Sequence, residues 1–123
     1  MSNLFNKLKK IHKRVFKGFE YITDKEQYSN IEKWVIPENP DKVKGDCEDF
    51  GLAIRTLLIE ESIPCRLVFC YDETGAGHLV VSVDGWILDN RQTKVVTRDR
   101  LEKRGYIFIK QSGVELKDVW EFI

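Results

Sequence analysis

The sequence predicts an α+β fold in which helices pack on an antiparallel sheet, and three observations carry the prediction. Apolar residues recur at spacings of three and four over residues 4–22 and again after Cys47. From Cys65 onward, short β-rich runs alternate with turn residues, and an Asp84-Gly85 pair between two apolar runs is a strong hairpin signal. The helical patterns precede the strands instead of alternating with them, which is the order of an α+β domain and not of a parallel α/β one. A chain of 123 residues suits one domain with one core.

The first helix places Leu4, Leu8, Ile11, Val15, Phe19 and Ile22 on one face, with Ser2 as its N-cap. The other face carries Lys7, Lys9, Lys10, Lys13, Arg14 and Lys17, with no acid before Glu20. The reading is a basic amphipathic helix over 1–22 whose apolar stripe packs on the domain and whose lysines are solvated. The same basic face is also a surface on which a partner could dock. Residues 23–44 read as irregular, with turns marked by Pro37, Asn39, Pro40 and Asp41, and with Trp34 among them.

From Cys47 the pattern is helical again, with Phe50, Ala53, Ile54, Leu57 and Leu58 as the stripe and an end near Ser62 and Pro64. Asp46 is placed to cap this helix and Asp49 to complete an acidic capping box, so Cys47 becomes its first residue. "CRLVFCY" (65–71) is a strand, "DETGAG" (72–77) a loop, and "HLVVSVDGWILDN" (78–90) a hairpin around Asp84-Gly85. A short helix over 98–103, capped by Thr97, is followed by Gly105 and the strand "YIFIK" (106–110). The tail 114–123 is either a last helical turn or an arm laid on the domain. The whole of 1–123 is one domain: the helix 1–22, a core over 23–113, and the tail.

Several function classes are disfavoured. Lys plus Arg is 20 and Asp plus Glu is 20, and this balance argues against nucleic acid as the main partner. Three cysteines with no secretory leader argue against a disulfide framework, and Cys65 and Cys70, five apart in one strand, point to opposite faces. With no C-x-x-C pair and only His12 and His78, a structural zinc site is not expected. No apolar run reaches the length of a membrane span, and the N-terminus lacks the continuous apolar region of a signal peptide. The expected compartment is therefore the cytoplasm. The sequence sets no oligomeric state.

"GDCEDF" (45–50) places Cys47 between Asp46 and Glu48. A thiol at a helix N-terminus sits at the positive end of the macrodipole, but the neighbouring acids oppose a second negative charge. A nucleophilic Cys47 therefore needs a cationic partner, usually histidine. His12 lies among lysines on the first helix, which leaves His78. If Asp84-Gly85 is a two-residue turn, Val83 opposes Trp86, Val80 opposes Asp89 and His78 opposes Arg91. His78 and Asp89 then share a face as diagonal neighbours, on the order of 7–8 Å apart at Cα and within side-chain reach. Asp89 is thus placed to orient the His78 ring, completing a Cys-His-Asp constellation.

The segments "YSNIEKWVIPEN", "GDCEDFGLA", "DETGAGHLVV" and "WILDN", in this order, resemble the bacterial transglutaminase-like cysteine proteinases, and "GYIFIKQSG" is similar to that family's closing strand. The likeness runs from Phe19 to Gly113. It implies a papain-like transglutaminase core with Cys47 as nucleophile, His78 as general base and acid, and Asp89 as orienter. The expected activity is hydrolysis of amide bonds in a protein or peptide substrate through a thioester acyl-enzyme, with no cofactor required for the chemistry. A transamidase using the same triad, and a non-catalytic binding module on the same fold, are the alternatives. The backbone N–H of Cys47 is a natural oxyanion donor, and the family's loop Trp, here Trp34, is a candidate second one. The resemblance also implies calcium, with Asp46 and Glu48 as candidate ligands; helix capping is the competing reading of both. The family's best-known members are exported, so their adhesin-releasing role is not carried over to a chain without a leader.

Overall fold

The structure, a computed structural model, describes residues 3–22, 36–115 and 118–123. Helix α1 (Asn3–Gly18) and helix α2 (Cys47–Glu60) pack against a six-stranded sheet. The sheet is built from β3 (Arg66–Tyr71), β4 (Gly77–Val83), β5 (Trp86–Leu88), β6 (Val96–Thr97), β7 (Ile107–Gln111) and β8 (Glu121–Phe122). Its order is β6-β5-β4-β3-β7-β8 and every pairing in it is antiparallel. Helix α3 (Arg98–Lys103) connects β6 to β7.

The first helix differs from the sequence reading, and the structure chooses between the two readings of the tail. The helix ends at Gly18, not Ile22. A side chain at Gly18 would collide with the Asp41 carbonyl, so the chain passes close to the 39–43 turn at this point. Phe19 and Ile22 belong instead to the segment carrying β1 (Glu20–Tyr21), which pairs in parallel with β2 (Lys44–Gly45) just ahead of α2. This ladder delivers the chain to the start of the Cys47 helix and was not expected from the sequence. The tail is the arm of the two alternatives, since β8 pairs with β7 as an edge strand. The Ser2 cap and Trp34 lie outside the described residues.

The sheet separates two apolar layers by strand parity, as the alternation of side chains requires. Leu67, Leu79, Val81 and Val83 face Leu8, Ile11 and Val15 of α1 and Phe50, Ile54 and Leu58 of α2. Val68, Cys70, Val80, Ile87 and Val96 pack on the other side with Leu101, Tyr106 and Phe108. Cys65 and Cys70 fall in different layers, and all three cysteines are free thiols.

The hairpin register is the expected one: Val83 pairs with Trp86, Ser82 with Ile87 and Val81 with Leu88. Asp84 (φ 50°) and Gly85 (φ 86°) both take positive φ, as a two-residue type I′ turn demands. Among the described residues no helix is long and apolar enough to cross a membrane.

Candidate active site

Asp46 caps α2. Its Oδ1 accepts the Glu48 N–H at 3.0 Å, and the Asp46 N–H donates to Asp49 Oδ2 at 3.0 Å, closing the capping box read from the sequence. Gly45 leaves room for this arrangement, because a side chain there would collide with the Asp49 carboxylate. The result fixes Cys47 as the first helical residue, buried at 5% exposure. Its N–H is one of the orphan donors of a helix start.

His78, on β4, is buried and its Nε2 lies 2.6 Å from Asp89 Oδ1. Cys47 stands close enough to the same imidazole to favour its protonated form. With Nε2 engaged by Asp89, Nδ1 is the ring nitrogen left to the sulfur. Burial alone would lower the His78 pKa, but the bond to Asp89 and the nearness of Cys47 outweigh it and hold it up at about 9. The ring is therefore a buried imidazolium at neutral pH. The sequence-predicted trio is thus brought together at one end of the sheet, where β4 begins and β5 has just ended.

Asp89 is fully buried, and its carboxylate is engaged on both oxygens. Oδ1 also accepts the Arg91 N–H at 2.9 Å, and Oδ2 accepts the Tyr106 hydroxyl at 2.8 Å. Arg91 and Gln92 in turn donate to the Tyr106 oxygen, at 3.0 and 3.3 Å. Burial and the Asp89 charge push the Tyr106 phenol well above its usual range, so it stays a donor. Arg91 also reaches Asp72, at 3.4 Å, and Glu73. The arginine thereby ties the "DETGAG" loop to the strand end that carries Asp89.

Two participants were missed in the sequence. His12 does not stand among the lysines: it is 1% exposed and its Nε2–H donates to the Asp89 carbonyl at 3.0 Å. The signal was available, since His12 falls four residues after Leu8 and beside Ile11 on the buried stripe. Tyr106 had been read only as the start of a strand. Its hydroxyl, in a position flanked by apolar core residues, needs a buried partner, but the sequence does not say which one.

Asp46, the candidate calcium ligand, is fully buried, and its Oδ2 has no hydrogen-bond partner among the described residues. Burial, reinforced by the neighbouring Asp49, raises its pKa. Glu48 is half-buried. Among the described residues no cluster of three or more His, Cys, Asp or Glu side chains is arranged to hold a metal ion.

A transglutaminase-like core with a buried thiol, imidazole and carboxylate is a recognisable class of architecture, and comparison with known proteins agrees. A model of the bacterial transglutaminase-like cysteine proteinases (BTLCP) matches residues 1–123, and the chain belongs to that family. Solved structures of Legionella pneumophila LapG share its fold. The EGTA-treated form superposes with a TM-score of 0.77 at 19% identity, covering 98% of this chain and 67% of that one. The calcium-bound form gives 0.70 at 22% identity, covering 88% of this chain and 64% of that one. The chain thus spans about two thirds of LapG's length. No curated protein sequence matches it significantly.

The pH dependence of stability follows from His78. Its folded pKa, about 9, lies above the unfolded value of 6.5, so the proton favours the folded state. This contribution is complete below pH 6.5 and is lost as the pH rises through about 9. Urea unfolding across that range should show falling stability in the wild type. Asp89→Asn should flatten the slope, and an unchanged slope would contradict the pairing.

Proposed function

We propose that the chain is a cysteine peptidase in which Cys47, His78 and Asp89 form the catalytic triad. The observation that carries this reading is the buried His78 imidazole bonded to the Asp89 carboxylate, with Cys47, the first residue of a capped helix, close enough to shift its pKa. The sulfur attacks the carbonyl carbon of an amide bond, and the negative charge passes to the carbonyl oxygen. The Cys47 N–H is positioned to stabilise that oxyanion, and Trp34 is the candidate for a second donor. As the tetrahedral species collapses, the C–N bond breaks and His78 gives its Nδ1 proton to the leaving amine. A thioester remains on Cys47. The neutral imidazole then takes a proton from water, whose oxygen attacks the thioester, and the carboxylic acid product leaves with the thiolate–imidazolium pair restored. An amine in place of water would give transamidation; membership of a proteinase family favours water. Asp89 holds the ring throughout and stabilises its charge. The substrate is a protein or peptide.

Calcium belongs to this proposal as a structural ion. LapG has been solved with calcium bound. Here the buried, unsatisfied Asp46 Oδ2 is an atom that a hard cation would satisfy, with Glu48 as a neighbouring carboxylate. Two carboxylates are fewer than the roughly six to eight oxygens calcium takes, so further ligands must join them. Bound there, the ion would offset the acids beside the thiol.

Two measurements test these readings. Burial pushes the Cys65 thiol up to about 11 and the Cys70 thiol up to about 12, so both are protonated and slow near neutral pH. Brief iodoacetamide treatment at pH 7 should therefore label Cys47 selectively, as read by peptide mass spectrometry, and His78→Ala should abolish the selectivity. Equal, slow labelling of all three thiols would sink the enzyme reading. For the ion, millimolar calcium should raise the melting temperature, EGTA should reverse the rise, and Asp46→Asn should remove the response. A melt indifferent to calcium and EGTA would remove the ion from the account.

A further inference from the structure

Asp89 can serve His78 only if its main chain stands where the carboxylate meets the ring. Strand pairing does not secure that position, because the β4–β5 ladder stops at Val81 and Leu88, one residue short. Beyond it, the Asp89 carbonyl accepts two hydrogen bonds. One comes from the Gln92 N–H at 3.2 Å, inside the same turn, and moves with it. The other comes from His12 Nε2–H at 3.0 Å, on α1, and ties the main chain of Asp89 to a separate element of the fold.

The surroundings of His12 connect that tie to the nucleophile. Its ring stacks on Phe16 at 5.4 Å and meets the edge of Phe50 at 5.8 Å. Phe50 lies on α2, one turn after Cys47, and is almost fully buried. A single imidazole therefore touches the helix that begins with Cys47 and holds the carbonyl of the residue that orients His78. Its neighbours on the stripe, Leu8, Ile11 and Val15, are all buried and apolar. An aliphatic residue at position 12 would fill this space without the cost of burying a polar ring. Burial also drives its pKa down, against the pull of Asp89, so the bond is made by a neutral ring. What the polar ring gains there is the bond to Asp89.

We propose that His12 is a positioning residue of the Cys47–His78–Asp89 site, fixing the Asp89 main chain so that its carboxylate stays aligned with the His78 ring. This rests on the reading of the site as a triad. His12 itself touches neither the sulfur nor a substrate; it acts through Asp89.

The test uses two nearly isosteric substitutions that differ in one N–H donor. His12→Gln keeps an amide N–H near the place of Nε2, and His12→Met keeps length and bulk without it. The readout is the titration of the His78 ring, followed by nitrogen-15 NMR in the wild type, both variants and Asp89→Asn. In the wild type and the Gln variant His78 should titrate near 9. In the Met variant its pKa should fall by about one unit or more, toward the value set by Asp89→Asn, whereas a merely space-filling role for His12 would leave it in place. A folded Met variant in which His78 titrates as in the wild type overturns the proposal. If the Met variant does not fold, the Gln variant decides: His78 near 9 supports the proposal, and His78 at the Asp89→Asn value overturns it. Identical titrations in the wild type and Asp89→Asn would overturn it as well, by removing the pair it serves. Failure of the peptidase reading shows separately, as unselective labelling of Cys47, and leaves these titrations unchanged.

Discussion

A carboxylate with no exposure to water is expensive unless its lone pairs are taken, and Asp89 meets that condition with partners drawn from across the chain. His78 and the Arg91 N–H share one side-chain oxygen, Tyr106 takes the other, and His12 and the Gln92 N–H take the main-chain carbonyl. These partners come from α1, β4, the turn after β5, and the residue just ahead of β7. The first helix, the hairpin and the closing strand must therefore all be in place before the charge can be buried. The charge in turn keeps His78 protonated. Burial would otherwise neutralise that ring, so the Asp89 pairing decides the sign of its shift.

Cys47 sits at the other end of this chain of dependence. Its helix is started by the acids that crowd it, and the same acids would oppose a thiolate. The structure lightens that opposition in two ways. Asp46 is buried, which favours its neutral form, and Asp49 is turned toward the Asp46 N–H, within the cap. The imidazolium of His78 supplies the positive charge. A bound cation would add to that balance, but the histidine already provides one.

Much of this was legible in the sequence because it depends on local rules. Asp46, Asp49 and the following apolar stripe specify a capped helix that begins at Cys47 whatever surrounds it. Asp84-Gly85 fixes a two-residue turn and the turn fixes the register, which, continued past the end of the ladder, points His78 and Asp89 to one face. What was not legible depends on contacts between distant elements. His12 looked solvated because its chain neighbours are lysines, although its helical phase put it on the buried face. Tyr106 showed nothing beyond a strand start, because the partner of its hydroxyl lies seventeen residues away. The β1–β2 ladder has two residues in each strand, too few to leave a period-two pattern.

The central claim is that Cys47 and His78 face each other as a reactive pair supported by Asp89. Dibromoacetone, a short reagent with two alkylating carbons flanking one carbonyl, tests this directly, because it bridges two nucleophiles only when they are side by side. Peptide mass spectrometry of the treated wild-type protein should find Cys47 covalently joined to His78, and Asp89→Asn should weaken the bridge in favour of single alkylation. Modification of Cys47 without any link to His78 in the wild type would contradict the account.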